Sequence, residues 1–140
     1  MRKADSRHLI EAQIPALRRF AWALARDPVL ADDLVQECLL RALGRWHLLR
    51  TGPELRAWLF KVLRNLHIDA LRARARRGTV ALELAPEPAA PGSPEGAMEL
   101  AEVLAALWQL PVEQREALVM IGAEEFGYAE AAEILGVPLG

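Results

Sequence analysis

Apolar residues recur along this chain at the three- and four-residue spacing of an α-helix. Leu9, Ile10, Ile14, Leu17, Phe20 and Leu24 predict a first helix over about residues 8–26, stopped at Asp27-Pro28. A second is predicted from about Pro28 to Trp46. Leu30, Leu34, Val35, Cys38, Leu39, Ala42, Leu43 and Trp46 form its inner stripe, and Asp33, Gln36, Glu37, Leu40 and Arg41 face away. The segment HLLRTGPE, with Gly52-Pro53 as breaker, then predicts a loop. A third helix is expected from Pro53 or Glu54 to about Arg77, with Leu55, Leu59, Val62, Leu63, Leu66 and Leu71 on one side.

The pattern breaks at APEPAAPGSPEG, residues 85–96, which holds Pro86, Pro88, Pro91 and Pro94. Each proline removes an amide donor and restrains its predecessor from helix, so this stretch reads as a linker. As coil it would span on the order of 20 Å, and as polyproline about 35 Å. Beyond it, helical spacing resumes over Ala97–Leu110, from Pro111 to about Gly122, and over Tyr128–Leu135, with a turn at 124–127. The expected organisation is residues 1–78, a linker over 79–96, and a second module over 97–140.

Composition fits this reading. The chain is 53% hydrophobic but only 6% aromatic, rich in Ala and Leu rather than strand formers, which predicts an all-α fold of two small helical domains. No run approaches the roughly 18 apolar residues that would span a bilayer. MRKADSRH leads into no apolar signal core, and the single Cys38 cannot form an internal disulfide. A cytoplasmic protein without a membrane partner is expected.

Charge divides the chain more sharply. Residues 1–78 hold 16 of the 17 Lys and Arg, a balance of +8, whereas residues 79–140 hold Arg115 alone against 11 acids, a balance of −10. The basic half is expected to face a polyanion. The alternative is two surfaces of opposite sign that attract each other.

Catalytic chemistry finds no support. His8, His47 and His67 fall at unrelated positions, there is no glycine-rich phosphate loop, and the only serines are Ser6 and Ser93. Asp32-Asp33 sits in a helix first turn, where acids complement the helix dipole, and Cys38 reads as a core residue. Neither an enzyme nor a cofactor or metal is expected. The strongest local feature is FKVLRNLHIDALRARARRG, residues 60–78, carrying Lys61, Arg64, Arg72, Arg74, Arg76 and Arg77. Cations favour a helix C-terminus in any case. Six of them on one helix repel each other, though, and a phosphate backbone would offset that. Asn65, His67 and Trp58 lie among them and can hydrogen-bond or stack on unpaired bases. For Trp58, core packing is the equal alternative.

ADDLVQECLLRAL, then LRAWLFKVLRNLHIDALRARARR, then LWQLPVEQREALVMIG…YAEAAEILGVPLG resemble a bacterial extracytoplasmic-function (ECF) sigma factor in family order and spacing. GAEEFGYAEAAEI is especially similar to the general-stress-response branch. The resemblance implies a promoter-melting domain followed by part of a helix-turn-helix domain. It implies that Asp32, Asp33, Gln36, Glu37 and Arg41 dock on the clamp helices of the polymerase β′ subunit. The loop at about His47–Glu54 would capture a flipped base of the −10 element. Trp58, Lys61, Arg64, Asn65, Arg72, Arg76 and Arg77 would carry the single-stranded promoter DNA, and an anti-sigma factor is the further partner implied.

Two departures follow from the same resemblance. Gly127 stands where the family commonly has a capping Ser. The family continues from G-V-P-x-G into a basic recognition helix, so AEILGVPLG reads as a helix and turn without its reader, with impaired −35 recognition expected. The downstream module is then expected to need the upstream domain or a partner to cover Ile134, Leu135 and Val137. The leading expectation is a transcription initiation factor. The alternatives are a decoy that titrates an anti-sigma factor and a helical regulator of double-stranded DNA.

Overall fold

Pro15 divides what the apolar spacing joins. It has no amide hydrogen to give to the carbonyl of Glu11, so the first predicted helix is two, α1 (Lys3–Glu11) and α2 (Ile14–Ala25), with a turn at Ala12-Gln13. These come from a computed structural model that describes residues 3–46, 53–78 and 94–138. The expected base-capturing loop at His47–Glu54 and the linker at 79–96 lie almost wholly outside the described residues. α2 closes on Arg26 in the left-handed conformation (φ 59°), and Asp27 caps α3 (Pro28–Gly44) by accepting the Val29 amide at 2.9 Å. α4 (Pro53–Arg77) is the long basic helix, begun on a proline as expected.

Among the described residues every regular element is helical, as the composition required. α2, α3 and α4 pack against one another around Leu17, Phe20, Val35, Cys38, Leu59, Phe60 and Leu63. Phe20 stacks on Phe60 with centroids 4.8 Å apart. Leu43 departs from its expected place in the α3 stripe. It stands about 100° round the helix from Ala42, so Ala42 is buried while Leu43 remains 51% exposed.

Downstream come α5 (Pro94–Gln109), α6 (Val112–Leu118) and α7 (Tyr128–Leu135). α6 runs into a π-helical turn over Val119–Ala123, where the Glu124 amide bonds the Val119 carbonyl at 2.9 Å. α7 ends at Gly136, whose φ of 69° needs no Cβ relief, and the Val137 amide closes on Ala132. Glu130 accepts the Gly127 amide at 3.2 Å, so the glycine start keeps half of a capping box.

The downstream helices have no separate core among the described residues. Met120, Phe126, Ala131 and Ile134 are buried in the same apolar cluster as α2, α3 and α4. Met120, Phe126 and Ile134 each contribute about 1.5–3 kcal/mol by leaving water. Ile134, expected to need cover from the upstream domain or a partner, is buried where α7 packs on α4. Val137 stays 45% exposed.

Candidate functional site

Two outer faces carry the residues singled out in the sequence. On α3, Asp32, Asp33, Gln36, Glu37 and Arg41 are all exposed, because Ala31, Val35, Cys38 and Ala42 turn the opposite side into the core. Glu37 and Arg41 pair across one turn at 3.5 Å, an exposed contact worth a few tenths of a kcal/mol. Val29 (68% exposed) and Leu40 (64% exposed) lie open on the same helix. An acidic helix face with open apolar groups suits a protein partner better than a nucleic acid.

On α4, Trp58, Lys61, Asn65, Arg72 and Arg76 recur at steps of three, four, seven and four residues and so share one side. Lys61, Asn65, Arg72, Arg76 and Arg77 are exposed. Trp58 is half-buried and packed against the core. Arg64 lies off this stripe. It is only partly exposed, and its Nε donates to Glu116 Oε2 at 2.5 Å.

That contact belongs to a set of pairs the sequence reading did not single out. Glu116 on α6 is 2% exposed and Glu124, just after the π turn, is 4% exposed. Arg19 of α2 grips the Glu124 carboxylate with both Nε and Nη2, the latter at 3.0 Å. Arg56 of α4 donates to the Glu124 backbone carbonyl and lies 3.6 Å from its carboxylate. The Arg56 guanidinium also lies 4.2 Å from the centre of the Phe126 ring, which meets Phe60 edge-on at 4.9 Å. Arg115 of α6 donates to the Ala23 carbonyl at 3.0 Å and sits 4.6 Å above Trp108. Burial pushes the Glu116 carboxyl upward against the opposing hydrogen bond from Arg64.

The opposite-sign halves thus meet directly through three named guanidinium–carboxylate pairs. No spacing could have identified them, as the partners are 52, 68 and 105 positions apart. The charge split was the one available signal, and it indicates attraction without partners.

Beside these pairs, α2, α3, α4, α5 and α6 enclose a groove of about 530 Å³. Leu30, Leu34, Leu66 and Trp108 line it, together with Asp33, Glu37, Arg74 and Arg115. His67 lies in its wall, buried, and its imidazole is pushed down to about 4 by burial and by the nearby charges of Arg74, Arg115 and Arg64. An unfolded imidazole titrates near 6.5, so the unfolded state takes up a proton first as pH falls. Stability from this group is complete above about pH 6.5 and is lost progressively towards pH 4, by roughly 3 kcal/mol. Urea unfolding of His67→Leu should therefore lack that part of the acid loss. The raised Glu116 carboxyl acts in the opposite sense but is present in both proteins and cancels. Parallel pH profiles for the two proteins would contradict the assignment.

Comparison with known proteins gives two domain matches. Residues 10–64 match the family described as "Sigma2 domain of PhyR", and residues 100–140 match "Sigma-70, region 4". The chain is 43% identical over 136 residues to the ECF RNA polymerase sigma factor EcfG of Rhodopseudomonas palustris, covering 94% of this chain and 73% of that one. It is 34% identical over 122 residues to the ECF RNA polymerase sigma factor SigM of Bacillus subtilis, covering 85% and 74%. Among solved structures it resembles the sigma factor RpoE of Bartonella quintana, co-crystallised with the anti-sigma factor NepR. That match has a TM-score of 0.82 and 35% identity, over 97% of this chain and 86% of that one.

Proposed function

The chain belongs to the ECF RNA polymerase sigma factors, and on that premise we propose that it docks on core polymerase through α3 and holds one strand of an opened −10 element along α4. As a sigma factor it is a transcription initiation protein. The finer assignment gives Asp32, Asp33, Gln36, Glu37 and Arg41 to the β′ clamp helices, and Trp58, Lys61, Asn65, Arg72, Arg76 and Arg77 to the strand. Arg64 joins the strand-binding group only when released from Glu116. Residues 1–78 carry both tasks, and residues 97–140 are the region 4-like part, proposed with impaired reading of the −35 element. The observation that carries the proposal is the single exposed stripe on α4, where a half-buried indole and several cations stand in line.

The energetics are compatible. Opening a duplex costs about 1.4 kcal/mol per base-pair step. Stacking one base on an aromatic ring returns roughly 1–3 kcal/mol, and phosphate contacts add to it. The factor needs no covalent chemistry for this.

Membership of the general-stress-response branch is part of the proposal, supported by GAEEFGYAEAAEI and by the likeness to the PhyR-type domain. An anti-sigma factor is the proposed third partner, seated in the groove bounded by Asp33, Glu37, Arg74 and Arg115. The likeness to RpoE crystallised with NepR favours it. The decoy reading, in which the chain only titrates such a partner, is favoured by one observation, the engagement of Arg64 by Glu116.

Permanganate footprinting of promoter opening with core polymerase separates the two. Lys61→Ala with Arg72→Ala should leave core binding intact and reduce opening. Loss of two single-strand phosphate contacts should also shrink the log–log salt slope of complex formation by about 1.4. A parent chain that binds core polymerase but opens no −10 region would favour the decoy.

A further inference from the structure

α6 packs on both α2 and α5, and a second groove, of about 480 Å³, opens between these helices. Its apolar walls are Trp22 of α2, Val103 and Leu107 of α5, and Val119 of the π turn. Arg18 stands one turn before Trp22, and Val103 one turn before Leu107, so each pair shares one side of its helix. Arg18, Arg19 and Arg115 join these walls, and among the described residues no Asp or Glu lines the groove.

The three cations are not equivalent. Arg19 is held by the Glu124 carboxylate, and Arg115 gives Nε and Nη1 to the carbonyls of Ala23 and Leu110. Arg18 is exposed and has no hydrogen bond or ion pair among the described residues. Burial pushes the Arg115 guanidinium downward; Glu116 opposes this and Arg26 adds to it, so a further negative charge nearby would favour the cation. One free guanidinium beside an apolar trough is complementary to an apolar body that ends in a single negative group. The guanidinium fork matches a carboxylate through two parallel hydrogen bonds, whereas a phosphate dianion needs more free donors than Arg18 supplies. Val103, left 57% exposed, gains cover from such a body.

We propose that this groove binds a medium-chain aliphatic carboxylate, its chain along Trp22, Val103 and Leu107 and its head group on Arg18. The space of about 480 Å³ falls within the roughly 300–1,000 Å³ of small-molecule sites. The walls come from helices on both sides of the linker, so the ligand holds α5 against α2 and stabilises the fold as it saturates. None of the lining residues belongs to α3 or α4, so the site stands or falls independently of the docking and strand assignments.

Calorimetric titration of the whole chain with sodium decanoate, below micelle formation, should show one saturable site. Each added methylene should tighten binding about fourfold, so decanoate should bind roughly 15-fold tighter than octanoate. Arg18→Ala removes an exposed side chain with no internal partner. It should weaken decanoate about fivefold and leave 1-decanol unaffected. Val103→Glu puts a carboxylate into the trough from an exposed position and should weaken decanoate at least about tenfold. In the parent chain, decanoate should shift the indole signals of Trp22 and Trp108 but not those of Trp46 and Trp58. It should also slow amide exchange in residues 101–109.

Equal affinities for octanoate and decanoate overturn the proposal, as does binding without saturation. So does an Arg18→Ala variant that binds decanoate like the parent, or that loses decanoate and decanol alike. Shifts at all four indoles would mark adsorption to apolar surface in general and reject the site. If circular dichroism shows Val103→Glu to be unfolded, the indole shifts of the parent decide.

Discussion

Asp33→Arg combined with Glu37→Arg is expected to weaken association with core polymerase by at least about 100-fold while leaving the helices in place. Both side chains are exposed on α3 and neither contributes to the core. Exposed substitutions of this kind usually change stability within about 0.5 kcal/mol. Glu37→Arg adds a small local cost, since it replaces the pairing with Arg41 by repulsion across one turn. At the proposed interface the same change turns two attractions into two like-charge contacts, which together cost several kcal/mol, and each 1.4 kcal/mol is a factor of ten. Circular dichroism should be unchanged, and titration of labelled core polymerase should show the loss. An affinity within threefold of the parent, with the fold intact, removes α3 as the docking face.

The second large effect is structural. Phe126→Ala should cost about 3–5 kcal/mol, the usual range for emptying a buried aromatic position. Phe126 is 4% exposed, meets Phe60 edge-on and lies under the Arg56 guanidinium. It also ties the downstream helices to α4, alongside Met120, Ala131 and Ile134 in the same cluster. Set against a typical total of 5–15 kcal/mol, the loss should detach residues 112–138 before the rest unfolds. Urea unfolding followed by amide exchange would show fast exchange there at denaturant concentrations where α2 and α3 remain protected. A loss below 1 kcal/mol, or uniform exchange over all helices, would mean that the two parts are held together by something else.

The outward face of α3 was legible residue by residue, because a helix repeats its surface every 3.6 positions and burial on one side defines exposure on the other. The same rule gave α4 its length. It failed at Ala12-Gln13, where apolar spacing continues through a break set by the missing amide of Pro15. It also failed at Leu43, where an apolar residue lies beyond the width of the stripe.

Arg64 marks the boundary of what periodicity can tell. Its place on a basic helix suggested phosphate, whereas the fold gives it Glu116, 52 positions away. The sequence by itself determined the helices, their faces and the opposite charges of the two halves, since each depends on neighbours within a few turns. Only the tertiary structure decided that Phe126 enters the upstream core and that Glu116 and Glu124 meet Arg64, Arg19 and Arg56. Charge attraction acts at a distance without choosing partners; burial of apolar side chains brings the helices into register, and register selects which carboxylate meets which guanidinium.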